Sequence, residues 1–335
     1  MKTIFQSAAR FGKVSIAGLV GLTALGLLAT PAQAQDFPTK AVRIITPFSV
    51  GSGPEGVLRL LADKLSRTWG KPVTVENKPG GNGFIAIDAF KRGAPDGYDL
   101  IQLDNVHLSA YPHLFKKLPY DPVKDFEQIE PLFKNNFFFT VAADSKYKSV
   151  GEIIADAKSR PGQLNYGSWS VGNPVHLGSA LFESVTGTQM AHVIYKETSM
   201  LYTGVATGEL SFALGTIGSA GALQRAGKLR YLAVAGAKRH PAYPNVPTVG
   251  ESGGPAGFEV VGWTTLAAPK GLPPAVADKI RRDVEKALAE PDFKDKFAAF
   301  GYEPFVTTRE QFGQFMQAES LRFADVIKKA KASLD

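Results

Sequence analysis

The chain has 335 residues, no cysteine and a formal net charge of +7, with its charges scattered along the sequence. The absence of cysteine excludes a disulfide framework, a cysteine-ligated metal and a thiol nucleophile, so the core must carry stability unaided. No basic stripe interleaves with aromatic residues, which argues against nucleic acid as a partner.

Residues 1–34 read as a secretory signal peptide: a basic start (Lys2, Arg10, Lys13), an apolar run from Val14 to Ala29, and a small-x-small cleavage site at Ala32-Gln33-Ala34. The apolar run falls short of the roughly 20 residues a membrane span needs. The mature chain of about 300 residues is long enough for about two domains. Its mildly basic balance suits an anionic small ligand without requiring one.

Val42 to Thr46 is a β-branched run that reads as a buried strand, ended by Pro47. A glycine turn, Phe48-Ser49-Val50-Gly51-Ser52-Gly53, then leads into an amphipathic helix carrying Val57, Leu58, Leu61 and Leu65. Lys71 to Glu76 is a second strand, Phe84 to Lys91 a helix and Tyr98 to Leu103 a third strand. This β-α-β-α-β order argues for a parallel sheet flanked by helices. Residues 105–125 read as loop. Phe126 to Phe133 and Phe137 to Ala142 read as two strands, and Ser149 with Glu152 forms a capping-box pattern ahead of a helix.

Leu164 to Gly167 begins a second β-turn-α-β unit, with the turn Ser168-Trp169-Ser170-Val171-Gly172-Asn173-Pro174, a helix from Val175 to Val185 and a strand from His192 to Tyr195. A helix at Leu201 to Thr207, strands at Leu210 to Leu214 and Tyr231 to Ala235, and a short helix between these strands follow. Residues 236–257, dense in Gly and Pro, read as a crossing between lobes. Two amphipathic helices end the chain, carrying Val276, Ile280, Val284 and Leu288, then Phe312 to Ile327.

The two glycine turns match. Each places a capping residue before a proline at a helix start, and so offers main-chain amides and hydroxyls beside a helix N-terminus. One turn in each lobe suits a clamp on a carboxylate, which accepts several N–H and O–H bonds.

Two other chemistries share these residues. Gly51, Gly53 and Gly56 satisfy G-x-G-x-x-G, with Glu76 where a dinucleotide-binding oxidoreductase would place its ribose-binding acid. Pro54 removes a donor from that turn. Ser170 lies in a sequence one glycine short of a nucleophile elbow, as an exported serine hydrolase would use, but no Asp lies between Ser170 and His240. Histidines 107, 113, 176, 192 and 240 lack metal-ligand spacing, so neither metal nor cofactor is expected. His176, in the first turn of its helix, could reach a ligand. Phe138 could line a cleft, and Trp169 and Trp263, both placed in loops, could stack on a ring.

An ordered series of phrases resembles the periplasmic solute receptors of tripartite tricarboxylate transporters, the Bug proteins. The phrases are Pro47-Phe48 with the glycine turn and Arg59, Val75 to Gly80, Ala94 to Tyr98, Leu164 to Ser168, Val175-His176-Leu177, Gly227 to Arg230, Pro244 to Thr248, and Trp263 with Ala268-Pro269. The resemblance covers essentially the whole mature chain. It implies a two-lobed α/β periplasmic binding protein, each lobe a mixed or mainly parallel sheet flanked by helices, with the ligand cleft between lobes. Lobe 1 would hold residues 35–137 and 250–335, and lobe 2 residues 138–249.

By the same resemblance the ligand is a small organic carboxylate, held by Phe48 to Gly53 and by Ser168 to Asn173, with Tyr195 in a related phrase. The partner is a membrane permease, and the receptor is a periplasmic monomer without catalytic activity. Phe48, Phe138 and Trp169 favour an aromatic mono- or dicarboxylate, with aliphatic dicarboxylates open. Glu55, Val50, Glu197 and Ser211 depart from the family's usual Asp, Pro, Gly and Asp.

Overall fold

One strand organises the molecule. In the computed structural model, which describes residues 37–334, Phe126–Ala142 (β4) is a single strand of 17 residues. The two apolar runs foreseen there are joined through Lys134, Asn135 and Asn136. These three are half-buried because the strand passes between two sheets at that point, so the apolar pattern stops while the backbone stays extended.

The other elements are numbered in chain order. Strands β1 (Val42–Thr46), β2 (Val73–Asn77) and β3 (Asp99–Asp104) pair in parallel, with β1 central. Helices α1 (Gly53–Trp69) and α2 (Phe84–Lys91) connect them, as parallel neighbours require. Residues 105–125 are not all loop. Val106–Ala110 forms a π-helical turn that continues into α3 (Tyr111–Leu114), and Pro112 has no N–H to give the preceding turn, where His107 O instead accepts from the Tyr120 hydroxyl.

Strand β9 (Val261–Pro269) runs antiparallel between β3 and the first part of β4, and the short β10 (Tyr302–Glu303) pairs with Asn135 and Lys134 on the other edge of β4. The sheet order is therefore β2-β1-β3-β9-β4-β10. Trp263, expected in a loop, lies in β9 and is 1% exposed. The segment VGWTTLAAP is buried on both faces, so it lacks the alternation that marks a half-buried strand.

Beyond Asn136 the same strand changes partners. Phe137 to Ala142 pair with β8 (Leu229–Ala235), and Phe138 to Thr140 with β7 (Ala213–Gly215). Strands β5 (Asn165–Ser168) and β6 (Ala191–Ile194) extend this second sheet through a bridge from Tyr166 to Phe212. Helices α4 (Val150–Ser159), α5 (Pro174–Thr186), α6 (Thr198–Ala206) and α7 (Ile217–Arg225) flank it. Helices α8 (Pro274–Leu288), α9 (Pro291–Phe300) and α10 (Arg309–Ala330) return to the first sheet. Because β4 belongs to both lobes, the chain from Pro38 onward forms one compact unit.

The return crossing is later than the sequence suggests. Val249, Phe258 and Val260 pack with Phe139 and Phe182 in the second-lobe core, so residues 236–260 stay with that lobe. Val260 N–H donates to Ala235 O, and Phe137 N–H donates to Val260 O at 3.4 Å; the next residue, Val261, is already paired with Asn136. Apolar side chains in this Gly- and Pro-rich stretch, too sparse to read as an element, hold it against the second lobe.

The indole Nε1–H of Trp263 donates to Glu319 Oε2 at 2.9 Å, inside the first-lobe core. Burial pushes the Glu319 carboxyl up to about 7, with Arg322 and the Trp263 bond acting against it. The folded protein thus keeps this proton to about pH 7, while the unfolded chain loses it near the ordinary carboxylate value. Its stabilising effect is complete in acid and fades as pH rises through about 7. Glu319→Gln removes the cost of ionising a buried group, so at pH 8 the variant should be more stable than wild type by roughly 2–3 kcal/mol and at pH 5 by no more than about 1 kcal/mol. Urea unfolding at the two pH values checks this; an unchanged difference between them would show Glu319 ionised throughout.

Candidate functional site

The two turns lie at the C-terminal ends of β1 and β5, one in each lobe, where open α/β sheets place their ligands. The first is fixed from below by buried polar groups on neighbouring strands. Thr46 Oγ1 donates to Gln102 Oε1 at 2.9 Å and accepts from Phe48 N–H, Gln102 Nε2 donates to Pro54 O, and Asn77 Nδ2 donates to Phe48 O at 3.0 Å. Gly51 has φ +81°, which a β-branched residue adopts only with strain.

The first turn is less open to an anion than the glycine pattern suggests. Glu55, one turn into α1 and 2% exposed, folds back so that its Oε2 accepts the Gly51 N–H at 3.0 Å. Its other oxygen accepts from Arg59 Nε, and Arg59 Nη2 donates to Asn77 Oδ1 at 2.8 Å. A closed ring of Gly51, Glu55, Arg59, Asn77 and Phe48 therefore holds the turn and supplies the negative charge that the helix N-terminus attracts. Ser52 N–H donates to Ser49 O, while Ser52, in N-cap geometry, makes no capping bond and its buried Oγ has no partner. Ser49, Val50 and Gly51 are exposed, and Phe48, Ser52 and Gly53 half-buried. Sequence reasoning missed Tyr302, whose hydroxyl lies against Gly53: a Cβ there would come within 2.2 Å of it. Only the return of the chain through α9 brings Tyr302 to this place, stacked on Phe133 at 4.0 Å.

The second turn is a capped and largely self-satisfied structure. Asn173 Oδ1 accepts from Val175 N–H (2.8 Å) and His176 N–H (3.1 Å), and its Nδ2 donates to Ser168 Oγ at 3.1 Å and to Ser170 O. Ser168, fully buried, also lies 2.7 Å from His192 Nε2. Gly172 N–H donates to His176 Nδ1 at 3.1 Å. Gly172 has φ +80°, and a Cβ there would meet Leu114 and Leu334, so this face of the turn rests on first-lobe residues. Leu177 of α5 joins the same cluster, with Val106, Leu114, Phe323 and Ile327, and the lobes pack along that seam.

Several candidate residues point elsewhere. Phe138 is fully buried and stacks on Tyr231 at 4.4 Å, so it is a core residue of the second lobe and not a cleft wall. The Tyr195 hydroxyl lies beside Gly204 and Glu209, away from the turn. Trp169 is half-buried against the second-lobe cores. Ser168, Gly172, Asn173 and His176 shape the turn from within, leaving Ser170 half-buried at its surface.

The same geometry corrects the other chemistries. Among the described residues no hydrogen bond joins Ser170 Oγ to a histidine, since His192 serves Ser168 and His176 serves Gly172. Glu76 is engaged with Arg43 (3.0 Å) and Lys78 (2.8 Å), and is held below the usual carboxylate range by Lys78 against the effect of burial.

Two α/β lobes sharing one strand, each presenting a glycine turn at its strand ends, define a solute-binding protein of the periplasmic type. Residues 57–332 match the tripartite tricarboxylate transporter family receptor, TctC, and the chain belongs to that family. It is 35% identical over 96% of its length to a Cupriavidus necator protein, the "UPF0065 protein in gbd 5'region", 96% of which is covered. It is similar to a Rhodopseudomonas palustris protein solved with adipate (29% identity, TM-score 0.76, 89% of this chain and 99% of the other). MatC of the same organism, solved with bound malate, is similar at 28% identity and TM-score 0.72, over 87% of this chain and 100% of the other.

The Asn173 cap is a measurable part of this architecture. Asn173→Ala removes two amide acceptor bonds and the tie to Ser168, and should cost about 1–2 kcal/mol in urea unfolding. Wild-type stability in that variant would show that α5 needs no cap.

Proposed function

We propose that the chain is an exported, monomeric receptor that captures an aliphatic dicarboxylate between its lobes and delivers it to a membrane permease without transforming it. The observation that carries this reading is the pair of glycine turns, one per lobe, in a member of the TctC family. Adipate and malate, named with two similar structures, are both aliphatic dicarboxylates. Two of the three rings that favour an aromatic ligand, Phe138 and Trp169, pack into the second lobe's own core. The residues offered to the ligand are Phe48 to Gly53, with the unpartnered Ser52 hydroxyl, and Ser170 with the edge of Trp169. Capture proceeds by hinge closure, because a ligand that touches both lobes stabilises only the closed state. Residues 1–34, outside the described part, direct export.

Thermal shift and calorimetry against adipate, malate, benzoate and terephthalate test the reading. One of the two aliphatic acids should raise the melting temperature by mass action, and more than either aromatic acid. Gly51→Val, which forces a β-branched residue to φ +81° in an exposed turn, should lower affinity at least about tenfold and cost about 1–3 kcal/mol in urea unfolding, with the fold retained. Tight binding of terephthalate with none of the aliphatic acids would overturn the ligand class. Undiminished affinity in Gly51→Val would remove the first turn from the site.

A further inference from the structure

Beneath the second turn lies a stack of three rings that ligand contact does not explain. Tyr166 of β5 faces His192 of β6 at 5.2 Å, and His192 faces His176 of α5 at 4.3 Å. Each imidazole ends on the turn: His176 Nδ1 on the Gly172 amide, His192 Nε2 on the Ser168 hydroxyl. We propose that His176 and His192 are positioning residues, neutral imidazoles that hold the Ser168–Asn173 turn in the shape that accepts a carboxylate; this rests on the function proposed above.

The chemistry of the contact requires a neutral ring. Nδ1 of His176 accepts the Gly172 N–H only through its lone pair, so its proton resides on Nε2. A proton added at Nδ1 sets N–H against N–H and expels the amide. It also places a cation in the first turn of α5, against the positive end of the helix dipole. The groups that face the pair do not offset this. Tyr166 flanks it from β5, and Glu183 lies further along α5, its carboxyl pushed up by burial with Met190 N–H and Tyr166 acting against it. Across a cavity of about 610 Å³ stand Lys329, paired with Asp325 at 2.7 Å, and Lys331, both cationic. Burial, with His192 adding to it, pushes His176 down to about 4, and burial lowers His192. The pair is therefore neutral at pH 7, and the turn loosens only as pH falls well below the usual histidine range.

Three forms of the full chain separate this role from simple space-filling. His176→Leu keeps the bulk and loses the acceptor; His176→Asn offers Oδ1 to the Gly172 amide and does not titrate. Adipate or malate, whichever binds wild type, should bind the Leu variant about tenfold more weakly at pH 7.5, with most of the loss restored in the Asn variant. The ligand's own titration cancels in the ratio of wild-type to Asn affinity, which should be constant from pH 8 to 6 and fall about twofold by pH 4. Equal affinities of the Leu and Asn variants, or a ratio independent of pH, would overturn the proposal.

A ligand-free measurement keeps the two readings apart. Hydrogen exchange at the Gly172 amide should be slow in wild type and Asn and faster by about tenfold in Leu. If neither acid binds wild type, the dicarboxylate reading fails, and this exchange rate alone decides: no difference between Leu and Asn overturns the positioning role.

Discussion

The structure depends on the pairing of β4, which is handed from β9 to β8 between Asn136 and Phe137. A single strand serving two sheets fixes the relative level of both without any dedicated linker. Its polar centre, Lys134 to Asn136, follows from that duty. A residue between two cores has less apolar surface to bury than one inside either, whereas the main chain must remain paired throughout. The second crossing, at Val260, lies beside the first and bonds to both Phe137 and Ala235, which gives the lobes two adjacent connections about which to bend.

The turns at the two strand ends solve the same problem by opposite means. In the first, the acidic third residue of the helix returns to the turn and is itself balanced by Arg59. In the second, a neutral asparagine caps the helix and a histidine takes the remaining amide. The second turn consequently owes its shape to buried, mostly neutral neighbours, the first to a charged ring through Glu55 and Arg59 above buried polar groups. Mutations beneath Ser168 to Asn173 act on that turn through its buried contacts, while those in Phe48 to Gly53 alter main chain that is itself exposed or half-buried.

Much of this was legible in the sequence because the punctuation is local. Gly, Pro, Asn and Ser mark both turns, and β1, α2 and β5 sit where the β-branched runs and helical spacing put them. Ser149 caps α4 through the Glu152 amide, with the Glu152 carboxylate reaching Lys148 N–H one residue earlier than a capping box would have it. What failed to show was tertiary. Strand β9 is covered on both faces and so has no period to detect; β4 looked broken where its surroundings change. The directions of Phe138 and Tyr195 are set by Tyr231 and Gly204, distant in sequence, and Tyr302 reaches the first turn only through the packing of α9. Four-residue spacing from Gly51 to Glu55 could have signalled the returning carboxylate, had the turn not been read as vacant.

The ring through Glu55 and Arg59 has one more consequence. Those two side chains cancel, so the first turn presents oriented dipoles with little net monopole. Its pull on a distant anion falls off faster than that of an exposed arginine would, and salt has little to screen. Any selectivity such a turn exerts is a matter of reach and direction over the last few ångströms, set by how an acceptor's oxygens meet fixed hydrogens and not by charge alone.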